Sequence, residues 1–112
     1  MTKTAPTLTM TSAQRAIYER LLQAVRTIGP FTADPKKTSI HLTRRSAFAG
    51  IATRNDALQL TIKSATDISS PRIVKREQAS ANRWHLEIRL EDPDQVDREL
   101  TSWLADAMRL AN

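Results

Sequence analysis

The side chains in this sequence best suited to site chemistry are its two histidines, His41 and His85. Together with Glu87 they would offer three metal ligands. Neither histidine has the HxxH or HExxH spacing that metal-binding helices use, and a site would need the sheet to bring His41 to the strand that carries His85 and Glu87. We therefore predict no metal site and no cofactor. His41, His85 and Arg89 are retained as a candidate ligand face.

Lysine and arginine are concentrated in the middle of the chain. Residues 36–89 carry 11 Lys and Arg against 4 Asp and Glu, a net charge of +7, whereas residues 90–112 carry 2 Arg against 6 acids, a net charge of −4. Basic side chains reach phosphate oxygens and supply affinity that weakens steeply with salt. The alternative is a solvated surface that keeps the domain soluble and guards edge strands. The predicted anion-binding residues are Lys36, Lys37, Arg44, Arg45, Arg54, Lys63, Lys75 and Arg76.

Several classes of function lack their sequence signals. The chain has only Gly29 and Gly50, so a glycine-rich phosphate loop is absent, and no GxSxG, HExxH or paired carboxylate is present. We predict no catalytic residues and no enzymatic activity. Cysteine is also absent, which excludes disulfides and thiolate chemistry and fits a cytoplasmic location. No apolar run approaches the roughly 18 residues of a membrane span, so no membrane partner is expected.

The elements that would position these residues follow from hydrophobic periodicity. We predict a disordered tail over residues 1–10 and a single α+β domain over residues 11–112. A first helix begins with a capping box formed by Thr11 and Gln14 and ends at Gly29, predicted to adopt a left-handed cap. A closing helix is predicted to begin at Asp92-Pro93.

Alternating residues predict strands over residues 38–44, 58–63 and 84–90, and a run of small residues around Phe48 predicts a fourth over residues 47–52. Residues 31–33 add a weaker edge strand. Residues 64–83 are predicted to form a long loop, with a short helical turn around Ile73 and Val74. The resulting fold class is α+β: a two-layer domain in which an antiparallel sheet of four to five strands carries both terminal helices on one face.

The second face of this sheet is predicted to be polar. It would be solvated, a dimer contact or a ligand platform. Phe48 and Trp84 are assigned to the core, which disfavours the aromatic stacking by which sheets bind single-stranded RNA. The outward-facing residues are His41, Thr43, Gln59, Thr61, Lys63, His85, Glu87 and Arg89.

Several short motifs, in this order and spacing, resemble domain-of-unknown-function family 5655. The likeness covers residues 16–109 and implies a helix, an antiparallel sheet and a closing helix, with no assigned activity. The chain departs from the family at Ala107-Met108, where members often have Ala-Tyr. The element order is also similar to the double-wing fold of YjbR-type proteins, which are suspected of binding DNA. The motifs are Gly29, Lys37-Thr38-Ser39-Ile40, Phe48-Ala49, Leu58, Leu60, Ser70-Pro71-Arg72, residues 94–97 and Trp103-Leu104.

These observations predict a small non-enzymatic binding module for nucleic acid or another polyanion, acting through a basic sheet and loop surface. One alternative is a protein-interaction or homodimerisation module that uses the open sheet face or an edge strand. A third, less favoured hypothesis is a small-ligand or enzyme domain that uses His41, His85 and Arg89.

Overall fold

The computed structural model describes residues 9–111 and has the predicted two-layer α+β architecture. Residues 1–8 of the predicted disordered tail lie outside the described residues, whereas Met10 is half-buried and packs against the core. Among the described residues, no helix combines the length and hydrophobicity needed to span a membrane. The elements are α1 (Ser12–Ile28), β1 (Thr32–Pro35), β2 (Ile40–Thr43), β3 (Ala47–Arg54), β4 (Ala57–Ser64), β5 (Ile73–Ser80), β6 (Arg83–Leu90), a 3-10 turn (Pro93–Gln95) and α2 (Arg98–Leu110).

The sheet has six strands in the order β1-β2-β3-β4-β6-β5, and every neighbouring pair is antiparallel. The predicted count of four to five strands was therefore too low. The strand that was missed is β5, which replaces the predicted loop and helical turn. It lies at the edge of the sheet and buries only Ile73, so its sequence lacks the alternation that marks a half-buried strand.

The segment between β4 and β5, residues 65–72, crosses the helix-covered side of the sheet. Both strands run antiparallel to β6, so they are parallel to each other and need a crossover connection. Ile68 packs against the core, and Arg72 bonds to the start of α2. The predicted loop is thus a short packed crossover followed by an edge strand.

Helix α1 begins as predicted and ties one end of the sheet to the helical layer. The amide of Gln14 donates to the Thr11 hydroxyl at 3.1 Å, and the Gln14 Oε1 accepts from the Thr11 amide at 2.9 Å. The Gln14 Nε2 also donates to the carbonyl oxygens of Asn55 (2.7 Å) and Ala57 (3.0 Å). The capping residue therefore also holds the β3–β4 hairpin.

The predicted left-handed cap at Gly29 was wrong. Gly29 has φ 165° and ψ 179°, an extended backbone open to any residue, because the chain continues straight into β1. A Cβ atom at this position would lie 3.1 Å from the Arg44 Nη1. An alanine at this position would require the Arg44 guanidinium, in the β2–β3 turn, to shift by a few tenths of an ångström.

Helix α2 begins at Arg98, later than predicted. Asp92 and Gln95 do form a capping box, but it caps the 3-10 turn. Val96 then leaves helical geometry at φ −83° and ψ 78°, and its side chain is buried in the core. Asp97 is the N-cap of α2 and accepts from the Leu100 amide at 3.0 Å.

The core lies between the two helices and one face of the sheet. Phe48 is fully buried and Trp84 packs partly buried against the core, as predicted. The helices contribute one stripe each, and the strands contribute every second residue. The fully buried members include Ile17, Leu21, Val25, Leu42, Phe48, Ile51, Leu58, Leu60, Leu86, Leu90, Leu100 and Leu104.

Candidate functional site on the open sheet face

The open face of the sheet, on the side away from the helices, is organised in rows by strand register. One row runs His41, Gly50, Thr61, Glu87 and Lys75 across β2, β3, β4, β6 and β5. The next row contains Lys63, His85 and Glu77. All eight side chains predicted to face outward are half-buried and alternate with buried neighbours along their strands.

A hollow of about 370 Å³ opens over the middle of β3, and we call it the β3 hollow. It forms because β3 presents Gly50 and Ala52 where the flanking strands present longer side chains. The sequence analysis did not predict this hollow, because Gly50 and Ala52 carry no functional group that would mark a binding site. The side chains and backbone that line it belong to Ser39, His41, Ala47, Phe48, Ala49, Gly50, Ile51, Ala52, Gln59, Thr61, Ile62, Lys63 and His85.

Most of the surface of the β3 hollow is apolar, and polar and basic side chains stand at its wall. Lys63, His41 and His85 line it, and no aspartate or glutamate is among its lining residues. Lys63 forms no ion pair within residues 9–111, and the nearest acid to His85 is Glu77, with 4.0 Å between Nδ1 and Oε1. The hollow therefore combines a floor of small residues with a wall suited to a negatively charged group.

The candidate ligand face is only partly assembled by the fold. His41 and His85 line the β3 hollow, whereas Arg89 lies beside Gln59 and pairs with Glu91 at 2.9 Å. The histidines are separated by three strand spacings, roughly 14 Å, so they do not converge on one ion. Among the described residues, no cluster of three or more His, Asp or Glu could hold a metal.

The eight predicted anion-binding residues fall in three places. Arg44 and Arg45 lie in the β2–β3 turn, and Lys63 lies near the end of β4, so these three share one end of the sheet. At the opposite end, Lys36 and Lys37 lie in the β1–β2 connection and Arg54 is the last residue of β3. Lys75 and Arg76 lie on the edge strand β5.

Two of these eight side chains are neutralised by neighbouring acids. Lys36 pairs with Asp34 at 2.9 Å, and Arg76 pairs with Asp67 at 2.8 Å on the helix-covered side. An anion bound by either side chain would therefore compete with a neighbouring carboxylate.

Arg83 is a basic residue that sequence reasoning missed. It opens β6, two residues before His85, and therefore faces the same side of the sheet. The period of two could have identified it. We call Arg44, Arg45, Lys63 and Arg83 the basic end of the domain.

Both edges of the sheet resist the addition of another strand. β1 has four residues and ends in Pro35, which cannot donate a ladder hydrogen bond. β5 carries Lys75 and Arg76, and its pairing with β6 is irregular at two points. Within residues 9–111, Val74 is the one exposed large hydrophobic side chain, at 60% exposure. Neither edge therefore presents a long, regular strand for pairing with another chain.

Comparison with protein families matches residues 7–111 to a domain of unknown function, DUF5655. The chain belongs to this family. The match spans both helices and all six strands, so it confirms the resemblance read from the sequence. No curated protein and no solved structure matches the chain, and the likeness to YjbR-type double-wing proteins is not confirmed. Since DUF5655 has no assigned function, the function must be argued from the site.

Proposed function

We propose that this DUF5655 domain is a non-enzymatic, cytoplasmic binding module that holds a polyanion, with nucleic acid as the leading partner, at the basic end and the adjoining open face. The observation that carries the proposal is the convergence of Arg44, Arg45, Lys63 and Arg83 from three separate chain segments. None of the four forms an ion pair with a residue of the described chain, 9–111. Cations left unpaired by the fold are available to phosphates.

The distribution of acidic residues also favours the basic end as the binding surface. Asp92, Asp94 and Glu99 lie around the start of α2, whereas Met108, near the end of α2, contacts Arg44 at the basic end. The helix of 13 residues separates these two regions by about 20 Å. An approaching polyanion is therefore steered toward the basic end and away from the acidic start of α2.

The test is fluorescence anisotropy with labelled 20-nucleotide single-stranded and double-stranded DNA at low and moderate salt. The variant Arg45→Glu plus Lys63→Glu changes the basic end, while Lys37→Glu plus Arg54→Glu makes the same change in net charge at the opposite end. We expect the first variant to weaken binding by about tenfold or more and the second to have a clearly smaller effect. Equal losses would show attraction to overall charge and contradict a localised site.

Homodimerisation through the open face is the second candidate. It is favoured by the mixed charges of that face, where Lys75 lies opposite Glu87 and Glu77 lies opposite His85, so that two copies could complement each other. Size-exclusion chromatography with light scattering separates the two proposals. A stable dimer with no affinity for DNA would favour this candidate, and a monomer that binds DNA would favour the polyanion module.

A further inference from the structure

Gly50 is a glycine that neither the backbone nor the packing of the domain requires. Gly50 does not adopt the left-handed backbone conformation that favours glycine, so the position does not need glycine's conformational freedom. A Cβ atom built at Gly50 would meet only the His41 Cδ2 at 3.7 Å, an ordinary van der Waals contact. Glycine inside a strand weakens the strand and often marks a place where a ligand approaches the backbone closely.

Because Gly50 has no side chain, a slot remains open between the side chains of β2 and β4. Gly50 and Ala52 form the floor of the β3 hollow, with β2 on one side and β4 on the other. These flanking strands lie two strand spacings apart, about 10 Å between backbones. The floor exposes backbone and one methyl group, so it suits the flat face of a ring better than a bulky branched group.

The side chains at the wall of the hollow indicate which charge a bound ring would have. Lys63 and His85 are cross-strand neighbours on one side, and His41 lies on the other. Gln59 and Thr61 add an amide and a hydroxyl, and the lining contains no carboxylate. These side chains are therefore complementary to an anion.

We propose that the β3 hollow is a binding pocket for a small planar organic anion. An aromatic or heteroaromatic ring lies on Gly50 and Ala52, and its carboxylate or phosphate group contacts Lys63 and His85. The proposal does not rest on polyanion binding, because Lys63 is the only residue of the basic end that lines the hollow, and Arg44, Arg45 and Arg83 do not.

The experiment is an amide-resolved NMR titration of the full chain with 2-naphthoate, with neutral 2-naphthamide as the matched control and adenosine monophosphate as the phosphate-bearing probe. We expect 2-naphthoate to shift the amide signals of Gly50, Ala52 and Thr61, and to bind roughly tenfold more tightly than the amide. Lys63→Met should remove most of that difference. If adenosine monophosphate binds in place of 2-naphthoate at the same amides, the pocket stands and its anion is a phosphate.

Filling the hollow provides the decisive variants. Gly50→Leu should abolish binding, while Ala79→Leu on the exposed edge strand adds bulk away from the hollow and should leave it unchanged. Gly50→Ala has room for its methyl group, so it keeps the proposal testable if Gly50→Leu fails to fold, and it should weaken binding. Binding that is unaffected by filling Gly50, signals that shift mainly in the helices, or no binding of either anion at millimolar concentration would overturn the proposal.

Discussion

The Arg72 side chain forms hydrogen bonds with Asp97, the N-cap residue of α2. The Arg72 Nη1 lies 3.0 Å from the Oδ1 and 3.2 Å from the Oδ2 of Asp97, and its Nη2 donates to the Gln95 carbonyl at 2.6 Å. The guanidinium carbon also lies 5.6 Å from the centre of the Trp103 ring. One arginine of the crossover thereby fixes the start of α2 and secures the segment that leads into β5.

Removing the Asp97 side chain should destabilise the domain. Asp97→Ala takes away the acceptor of the Leu100 amide and the partner of Arg72, so we expect the free energy of unfolding to fall by about 1–2 kcal/mol. The measurement is urea denaturation followed by circular dichroism. Asp94→Ala is the control, because no side-chain hydrogen bond of Asp94 is seen in the described chain, and it should change stability by less than about 0.5 kcal/mol. Equal effects would contradict the capping role.

The stabilising contribution of Asp97 should depend on pH in a defined direction. The hydrogen bond from the Leu100 amide, followed by the hydrogen bond from Arg72, lowers the pKa of Asp97 in the folded protein. A carboxyl group with a lowered folded pKa stabilises fully above its unfolded pKa of about 3.9, and that stability is lost as the pH falls through the folded value. The difference in stability between the wild type and Asp97→Ala should therefore be constant from pH 7 to about 5 and shrink below about pH 4. A difference that grows toward low pH would contradict this assignment.

Gln14 should be more important for stability than an exposed glutamine on the same helix. Its side chain is 2% exposed and bonds to the carbonyl oxygens of Asn55 and Ala57. Gln14→Leu leaves these acceptors without their donor, and we expect a loss of about 1–3 kcal/mol in the free energy of unfolding. Gln23→Leu is the matched control and should be nearly neutral. Thermal and urea unfolding of both variants measure the contrast.

The stability of the domain should respond differently to alanine at its two glycines. Gly50→Ala finds space in the β3 hollow and removes backbone freedom from the unfolded chain, so it should raise the free energy of unfolding by about 0.5–1 kcal/mol. Gly29→Ala brings a methyl group to 3.1 Å from the Arg44 Nη1 and should give no such gain. Loss of stability in Gly50→Ala would mean that the fold itself requires this glycine, which would remove one argument for a ligand pocket.

Periodicity was sufficient to predict most of the fold. The alternation in β2, β4 and β6 reflects burial on one face, and the capping box at Thr11 reflects local hydrogen bonds, so the sequence records both directly. β5 was missed because an exposed edge strand leaves no such record. The start of α2 was misplaced because Asp92 and Asp97 are both good N-caps, and only the packing of Val96 decides between them.

The candidate site was less predictable for a different reason. Alternation correctly placed Lys63 and His85 on one face. The basic residues nevertheless lie in three separate regions, because strand register and turn direction decide where each one is placed. Whether a cation is neutralised depends on partners such as Asp34 and Asp67, which tertiary structure brings into contact. The β3 hollow is defined by side chains that are missing, and a search for functional groups does not detect it.

The salt dependence of DNA binding tests the central proposal most directly. For the wild type, we predict a linear fall in log affinity with log salt, with a slope that counts the phosphate contacts at roughly 0.7 to 0.9 per contact. Arg45→Glu plus Lys63→Glu should make that slope shallower by about two contacts, whereas Lys37→Glu plus Arg54→Glu should leave it nearly unchanged. No detectable binding at low salt, or the same change of slope in both variants, would contradict the account.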